Sequence, residues 1–338
     1  SFRQVMDLSG FWEFKMDPDL RGENEGWMTG LKNSRPIAVP ASWNDQFEDG
    51  RDFLGPAWYQ TNFHIPGDWM EQRIFLRFNS VNYLADVWLN GEKLGFHEGG
   101  HLPFQFELTG KIPNQDNLLV TRVDGRLASD RVPPGNITGS DLDFFASHNE
   151  NYPQTQFDFF PYCGIHRPVL LYTQPDRSLE DITVTTNLTG DDGQVIVRVQ
   201  PEESPIKIIL EDETQSYRTT GMGQVKIDIP GVRKWSPESP FLYDLQVELL
   251  ADDQTVDMYS LPIGVRTIRV EGDRLLLNGE PVYLKGFGRH EDFPISGRGL
   301  NPPVIIKDYA LMKWMGANSF RTTHYPYSEQ MMRLADRL

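Results

Sequence analysis

Apolar residues over the first 267 positions come in short runs of β-branched, aromatic and aliphatic type, with no long helical period. Arg73-Ile74-Phe75-Leu76-Arg77-Phe78 and Asp86-Val87-Trp88-Leu89 read as strands. The second runs into Asn90-Gly91, a two-residue hairpin turn, because both residues tolerate positive φ. Near Ser178 an aromatic-rich stretch gives way to Asp181-Ile182-Thr183-Val184-Thr185-Thr186. That segment, Val195-Ile196-Val197-Arg198-Val199 and Leu245-Gln246-Val247-Glu248-Leu249 predict a smaller immunoglobulin-type sandwich ending near Thr267. The polar stretch 128–157, with Pro133-Pro134-Gly135, is long for a loop inside a compact domain and is expected to be functional.

The pattern changes after Ile268. Leu275-Leu276-Leu277-Asn278-Gly279-Glu280-Pro281-Val282-Tyr283-Leu284 predicts a second Asn-Gly hairpin, leading into a strand that ends at Gly286-Phe287. Asn301 can cap a helix with Pro302 at its first position, where a missing N–H costs nothing. Ile305, Tyr309, Met312 and Gly316 share one face of it, and Gly316 ends it. Asn318-Ser319-Phe320-Arg321 is a short strand, and Ser328 can cap a helix burying Met331, Leu334, Ala335 and Leu338. Strand, helix, strand, helix is the alternation of a parallel α/β unit.

The chain has 338 residues, 32 basic against 48 acidic side chains and a net charge of −16. Such a balance argues against partners that are polyanions, nucleic acid and anionic membrane alike. No apolar run approaches the ~20 residues of a membrane span. The single cysteine, Cys163, excludes an intrachain disulfide and reads as a small buried hydrophobe. Residues 1–15 contain no continuous apolar segment, and the chain starts at Ser1. A cytoplasmic location and export with a leader removed are both compatible with these features. His97-Glu98-Gly99-Gly100-His101 has the spacing of a zinc-protease helix, but two adjacent glycines would cost ~1 kcal/mol each in a helix interior. A glycine-rich loop between strands is expected there, with no metal and no cofactor.

Two stretches carry a resemblance: Gly286-Phe287-Gly288-Arg289-His290-Glu291-Asp292, and Asn318-Ser319-Phe320-Arg321-Thr322-Thr323-His324-Tyr325-Pro326-Tyr327. With Val39-Pro40-Ala41-Ser42-Trp43-Asn44-Asp45, Trp58-Tyr59-Gln60 and the run from Phe157 to Val169, they make the chain similar to glycoside hydrolase family 2, on its β-glucuronidase side. The resemblance implies a mainly β architecture: a jelly-roll sugar-binding domain over 1–178, an immunoglobulin-like β-sandwich over 179–267, and over 268–338 the first two strand–helix units of a (β/α)₈ barrel. It implies a retaining exo-glycosidase that hydrolyses terminal β-D-glucuronides by double displacement. The acid/base and nucleophile glutamates of such enzymes sit on later barrel strands, so both are expected beyond Leu338 and the chain is expected to be inactive alone. By the same resemblance His290, His324 and Asp158 contact sugar hydroxyls, Arg321 orients the nucleophile and Glu291 supports the site from behind. Without the family, Arg321 reads as a buried ion pair and Asp158 as a loop cap. The implied partner is carbohydrate, a β-glucuronide or β-galactoside, and a homo-oligomer is expected for the full-length parent. The alternatives are a β-galactosidase-type member of the family and a non-catalytic carbohydrate-binding or complementing fragment.

Overall fold

The computed structural model describes residues 2–112, 116–128, 131–134, 157 and 159–338. The first sandwich packs two antiparallel sheets. One orders the strands Val5–Asp7, Val169–Gln174, Arg73–Phe78 and Phe104–Glu107; the other orders Arg35–Val39, Gly10–Met16, Pro56–His64, Asp116–Asp124, Leu84–Leu89 and Glu92–Glu98. Trp12, Phe14, Trp43, Tyr59, Leu76 and Phe78 fill the space between them. The strand Pro56–His64 does not alternate cleanly because both its faces are covered: Tyr59 points into that core, and Trp58 packs with Trp27, Trp88 and Val120 on the other side. The hairpin at Asn90-Gly91 joins Leu84–Leu89 to Glu92–Glu98, with φ of 53° and 85° at the two turn residues. Cys163 is fully buried in the same core, and burial raises its thiol pKa well above the usual range.

A small third sheet matters more for the site. Gly164–Ile165 pairs on one side with Ala41–Ser42 and on the other with Val81–Asn82. Gly164 sits at φ 135°, and a Cβ there would come within 2.8 Å of the Ala41 carbonyl oxygen. Only glycine lets these backbones meet, and their meeting aims Ser42 and His166 out of the sandwich.

The second sandwich pairs Asp181–Thr189, Asp192–Gln200 and Gln224–Ile229 in one sheet; Ser216–Met222, Pro205–Glu211, Tyr243–Ala251 and Gln254–Ile263 form the other. Strict alternation half-buries one face of Asp181–Thr189 and fully buries one face of Gln224–Ile229 against a core that includes Val197, Ile208 and Val247.

The remaining residues form a short antiparallel sheet, Ile268–Glu271, Arg274–Leu277 and Glu280–Pro281, followed by a parallel α/β unit. The strand expected to end at Gly286-Phe287 instead begins there. After Pro281 the hairpin ladder yields one further bond, from Val282 N–H to the Leu275 carbonyl, and the strand Gly286–Arg289 then pairs in parallel with Ser319–Thr322. Both helices start at the expected caps. Asn301 accepts from the Val304 N–H ahead of Pro302–Trp314, and Ser328 accepts from the Met331 N–H ahead of Glu329–Arg337. Ile305, Tyr309, Phe293 and Met331 form the small core beneath the strands. No helix among the described residues is long and apolar enough to cross a membrane.

Ser328 does two things at once: its hydroxyl caps the last helix and donates to Glu291 Oε1 at 2.8 Å. Ser328→Ala is therefore expected to cost about 1–2 kcal/mol, the upper part of the range for a lost cap. Calorimetric melting checks it; Ser328→Thr, which keeps the hydroxyl, recovers most of the loss.

Candidate active site

In a parallel pair the carboxyl ends lie side by side, so the residues that follow each strand converge. Arg289 stands opposite Thr322, and just beyond them the rings of His290 and His324 meet edge-on with centroids 6.4 Å apart. Tyr325 lies behind His290 at 6.0 Å, and burial pushes its phenol pKa upward. Phe159, from the first sandwich, closes the side of this mouth: its ring is 6.2 Å from His290 and 5.2 Å from Tyr325.

Below the two histidines lies a buried polar network that ties sandwich to strand ends. Arg167 Nη2 pairs with Glu291 Oε2 at 3.0 Å and also donates to the Pro326 carbonyl at 2.7 Å, while Nη1 donates to the His101 carbonyl at 2.7 Å. Glu291 Oε1 accepts from both the backbone and the hydroxyl of Ser328, and the Glu291 N–H donates to Tyr325 Oη at 2.7 Å. Neither residue has a buried side-chain polar atom without a partner among the described residues, which is the condition under which a buried charge pair holds. On the other flank, Arg298 N–H donates to Ser42 Oγ at 3.0 Å, and the same Oγ is bonded to His166 Nε2 at 3.0 Å.

Two histidines of the sandwich are held neutral here. His101 stacks on Tyr325 at 4.4 Å. Burial, with Arg298 as the next cause, lowers the pKa of both His101 and His166 well below the ordinary imidazole value.

The residues expected at the site are distributed as follows. His290 is half-buried at the mouth, and its Nδ1 has no hydrogen-bond partner among the described residues. His324 is exposed, with Nε2 3.4 Å from Arg321 Nη2. Arg321 is exposed too, which rules out the buried ion pair that its sequence context allowed. Glu291 sits one layer down, 2% exposed and engaged as above. Asp158 lies outside the described residues, as does most of the stretch 128–157.

Three residues at the mouth carried no sequence expectation of a role: Arg167, Arg298 and His101. Arg167 and Arg298 act across 124 and 256 positions of chain, beyond any local signal. His101 stands in the His-Glu-Gly-Gly-His string, whose spacing is that of a zinc-protease helix. His97 and Glu98 end the strand Glu92–Glu98, and the two glycines have a different reason: Gly99 needs φ 116°, and a Cβ on Gly100 would stand 2.7 Å from Asn82 Oδ1. Among the described residues no group of three or more His, Cys, Asp or Glu side chains could hold a metal ion.

A mouth of histidines and aromatics at the carboxyl ends of parallel strands, walled by a β-sandwich, suits a polar ring-shaped ligand. Residues 5–175, more than half of the chain, match the model of the glycosyl hydrolases family 2 sugar binding domain. The chain belongs to glycoside hydrolase family 2. Residues 171–266 match the model described simply as glycosyl hydrolases family 2, and residues 268–338 the family's TIM barrel domain. Among curated family 2 relatives, the β-glucuronidase of Paenibacillus borealis is 41% identical over 99% of this chain, and that of Mus musculus 37% identical over 99%. The chain spans 57% and 55% of their respective lengths. The crystal structure of Ruminococcus gnavus β-glucuronidase superposes with a TM-score of 0.89 at 35% identity, covering 99% of this chain and 57% of that one. An uncultured Clostridium sp. β-glucuronidase gives 0.88 at 38% identity, with 99% and 57% covered. The chain is thus glucuronidase-like and mainly β, with two sandwiches and the start of a TIM barrel.

Proposed function

We propose that residues 1–338 form the N-terminal part of a retaining exo-β-glucuronidase, with a sugar-binding jelly roll over 1–178, an immunoglobulin-like sandwich over 179–267 and the first barrel units over 268–338. The observation that carries the reading is the convergence of His290 and His324 at the strand ends under Phe159. Imidazoles can donate to or accept from sugar hydroxyls, and an aromatic wall covers the apolar face of a pyranose. Asp158, an acceptor-only group when ionised, takes two more hydroxyls; Arg321 orients the nucleophile, and Glu291 acts through Tyr325 and Arg167 rather than on the sugar.

Retention requires two carboxyl groups ~5–5.5 Å apart, one protonating the leaving oxygen and one attacking the anomeric carbon. On this reading both belong to later barrel strands, together with the cationic grip that a sugar carboxylate needs in a chain of net charge −16. The 338-residue chain alone is then expected to leave 4-nitrophenyl β-D-glucuronide and β-D-galactoside unhydrolysed, and to bind glucuronate at millimolar concentration or worse, since most of the pocket wall is absent. Turnover that tracks the purified chain and vanishes in Asp158→Ala overturns the inactivity. Micromolar binding by calorimetry favours a self-sufficient carbohydrate-binding module. The coding DNA past Leu338 tests the enzyme reading itself: an Asn-Glu pair, a second strand-end Glu and an Asn-x-Lys are expected, and an immediate stop codon refutes it.

A further inference from the structure

Arg298 is a buried cation with a poor set of hydrogen bonds. Its side chain is 2% exposed, yet Nε and Nη1 have no partner among the described residues. Among the described residues Nη2 reaches only the Phe160 carbonyl at 3.4 Å and Asp292 Oδ1 at 3.5 Å, both beyond the usual N–H···O range. What the guanidinium does have is rings: its centre lies 4.4 Å from the Tyr325 centroid, 4.7 Å from Phe159 and 5.8 Å from Tyr162. Phe159 and Tyr162 belong to the sandwich and Tyr325 to the barrel.

The backbone is shaped to deliver it there. Gly297, at φ 57°, would place a Cβ 2.7 Å from Ser42 Oγ, and one on Gly299 would fall 2.4 Å from Ala41 Cα. A glycine on either side therefore lets the loop lie flat on Ala41–Ser42 while the Arg298 side chain turns in between the rings.

We propose that Arg298 is a positioning residue of the substrate site: its guanidinium, held between Phe159 and Tyr325, fixes the sandwich's aromatic wall against the strand ends that carry His290 and His324. The assignment rests on the reading of this mouth as the sugar site. The force is cation–π attraction, which strengthens when the cation is desolvated, so a cation over the rings is what counts. A guanidinium with this few hydrogen bonds adds little to overall stability after its desolvation.

Hydrogen exchange on the 338-residue chain, followed by mass spectrometry without substrate or turnover, tests the proposal independently of the enzyme reading. The reporters are the Tyr162 and Cys163 amides, bonded to the Phe160 carbonyl and Asn44 Oδ1; the controls are amides of the strands Leu84–Leu89 and Asp116–Asp124. Arg298→Met, which keeps the apolar stem and drops the charge, is expected to speed reporter exchange about tenfold with the controls unmoved. Arg298→Lys, which keeps a cation over the rings, is expected to stay within about threefold of the parent. Three results overturn the proposal: Met matching Arg, Lys exchanging as fast as Met, or controls accelerating in step with the reporters.

Discussion

Arg167→Met is expected to destabilise the junction between the first sandwich and the barrel unit by about 3–5 kcal/mol, because it strands the Glu291 carboxylate in a buried site. The native carboxylate balances its desolvation with Arg167 at 3.0 Å and two bonds from Ser328. After the substitution only the neutral donors of Ser328 remain. Calorimetric unfolding reads the loss as an early transition of the barrel unit. Adding Glu291→Gln to Arg167→Met is expected to recover a large part of it, since the amide carries no charge. What stays lost is the bonding of the His101 and Pro326 carbonyls, at about 1 kcal/mol each. A double variant as unstable as the single one would locate the damage in packing and refute the electrostatic account.

Acid is expected to loosen the same junction before it attacks the rest of the molecule. His101 and His166 have lowered pKa values in the folded state, so above pH ~6.5 they are neutral both folded and unfolded and stability does not depend on them. As pH falls below that value the unfolded chain takes up protons that the folded chain refuses. Stability then drops by about 1.4 kcal/mol per pH unit for each histidine, or about 2.7 for the two together, until the lowered folded values are reached. Asp124 and Glu248 are also shifted down, so their contributions are lost only below about pH 4.5. The interval from pH 6.5 to about 5 therefore belongs to the histidines. Melting temperature measured across it should fall steeply in the parent and less steeply in His101→Phe, which keeps a ring against Tyr325; His166 and His97, whose pKa burial also lowers, supply the remaining slope. An unchanged slope in that variant would remove His101 from the account.

Local chemistry was legible in the sequence wherever one element decides its own geometry. Asn90-Gly91 turns a hairpin because of its own φ preferences, and Asn301 and Ser328 cap helices with their own side chains. The start of the strand at Gly286 is not legible in the sequence because its partner is not its neighbour: parallel pairing with Ser319–Thr322 sets it, and nothing in residues 275–287 encodes that. The mouth was legible in part. The histidines that end strands stood in long, specific strings. Arg167 and Arg298 did not announce themselves, since an arginine's role depends on what the fold brings opposite it. The glycines of His97–His101 are legible in the sequence as incompatible with a helix, but Asn82, which requires one of them, is visible only in three dimensions.

The first sandwich closes with its ends together: Val5–Asp7 lies against Val169–Gln174. On a ribosome adding about 5–20 residues per second, the first strand waits on the order of ten seconds or more for its neighbour to be made. Throughout that interval the chain carries an unsatisfied sheet edge. The wait ends only after Phe159 to Arg167 have been synthesised, so the surface that receives Glu291, Arg298 and Tyr325 can be complete before any of them leaves the exit tunnel. The barrel is then assembled on a finished template, and the order of synthesis is also the order in which the site is built.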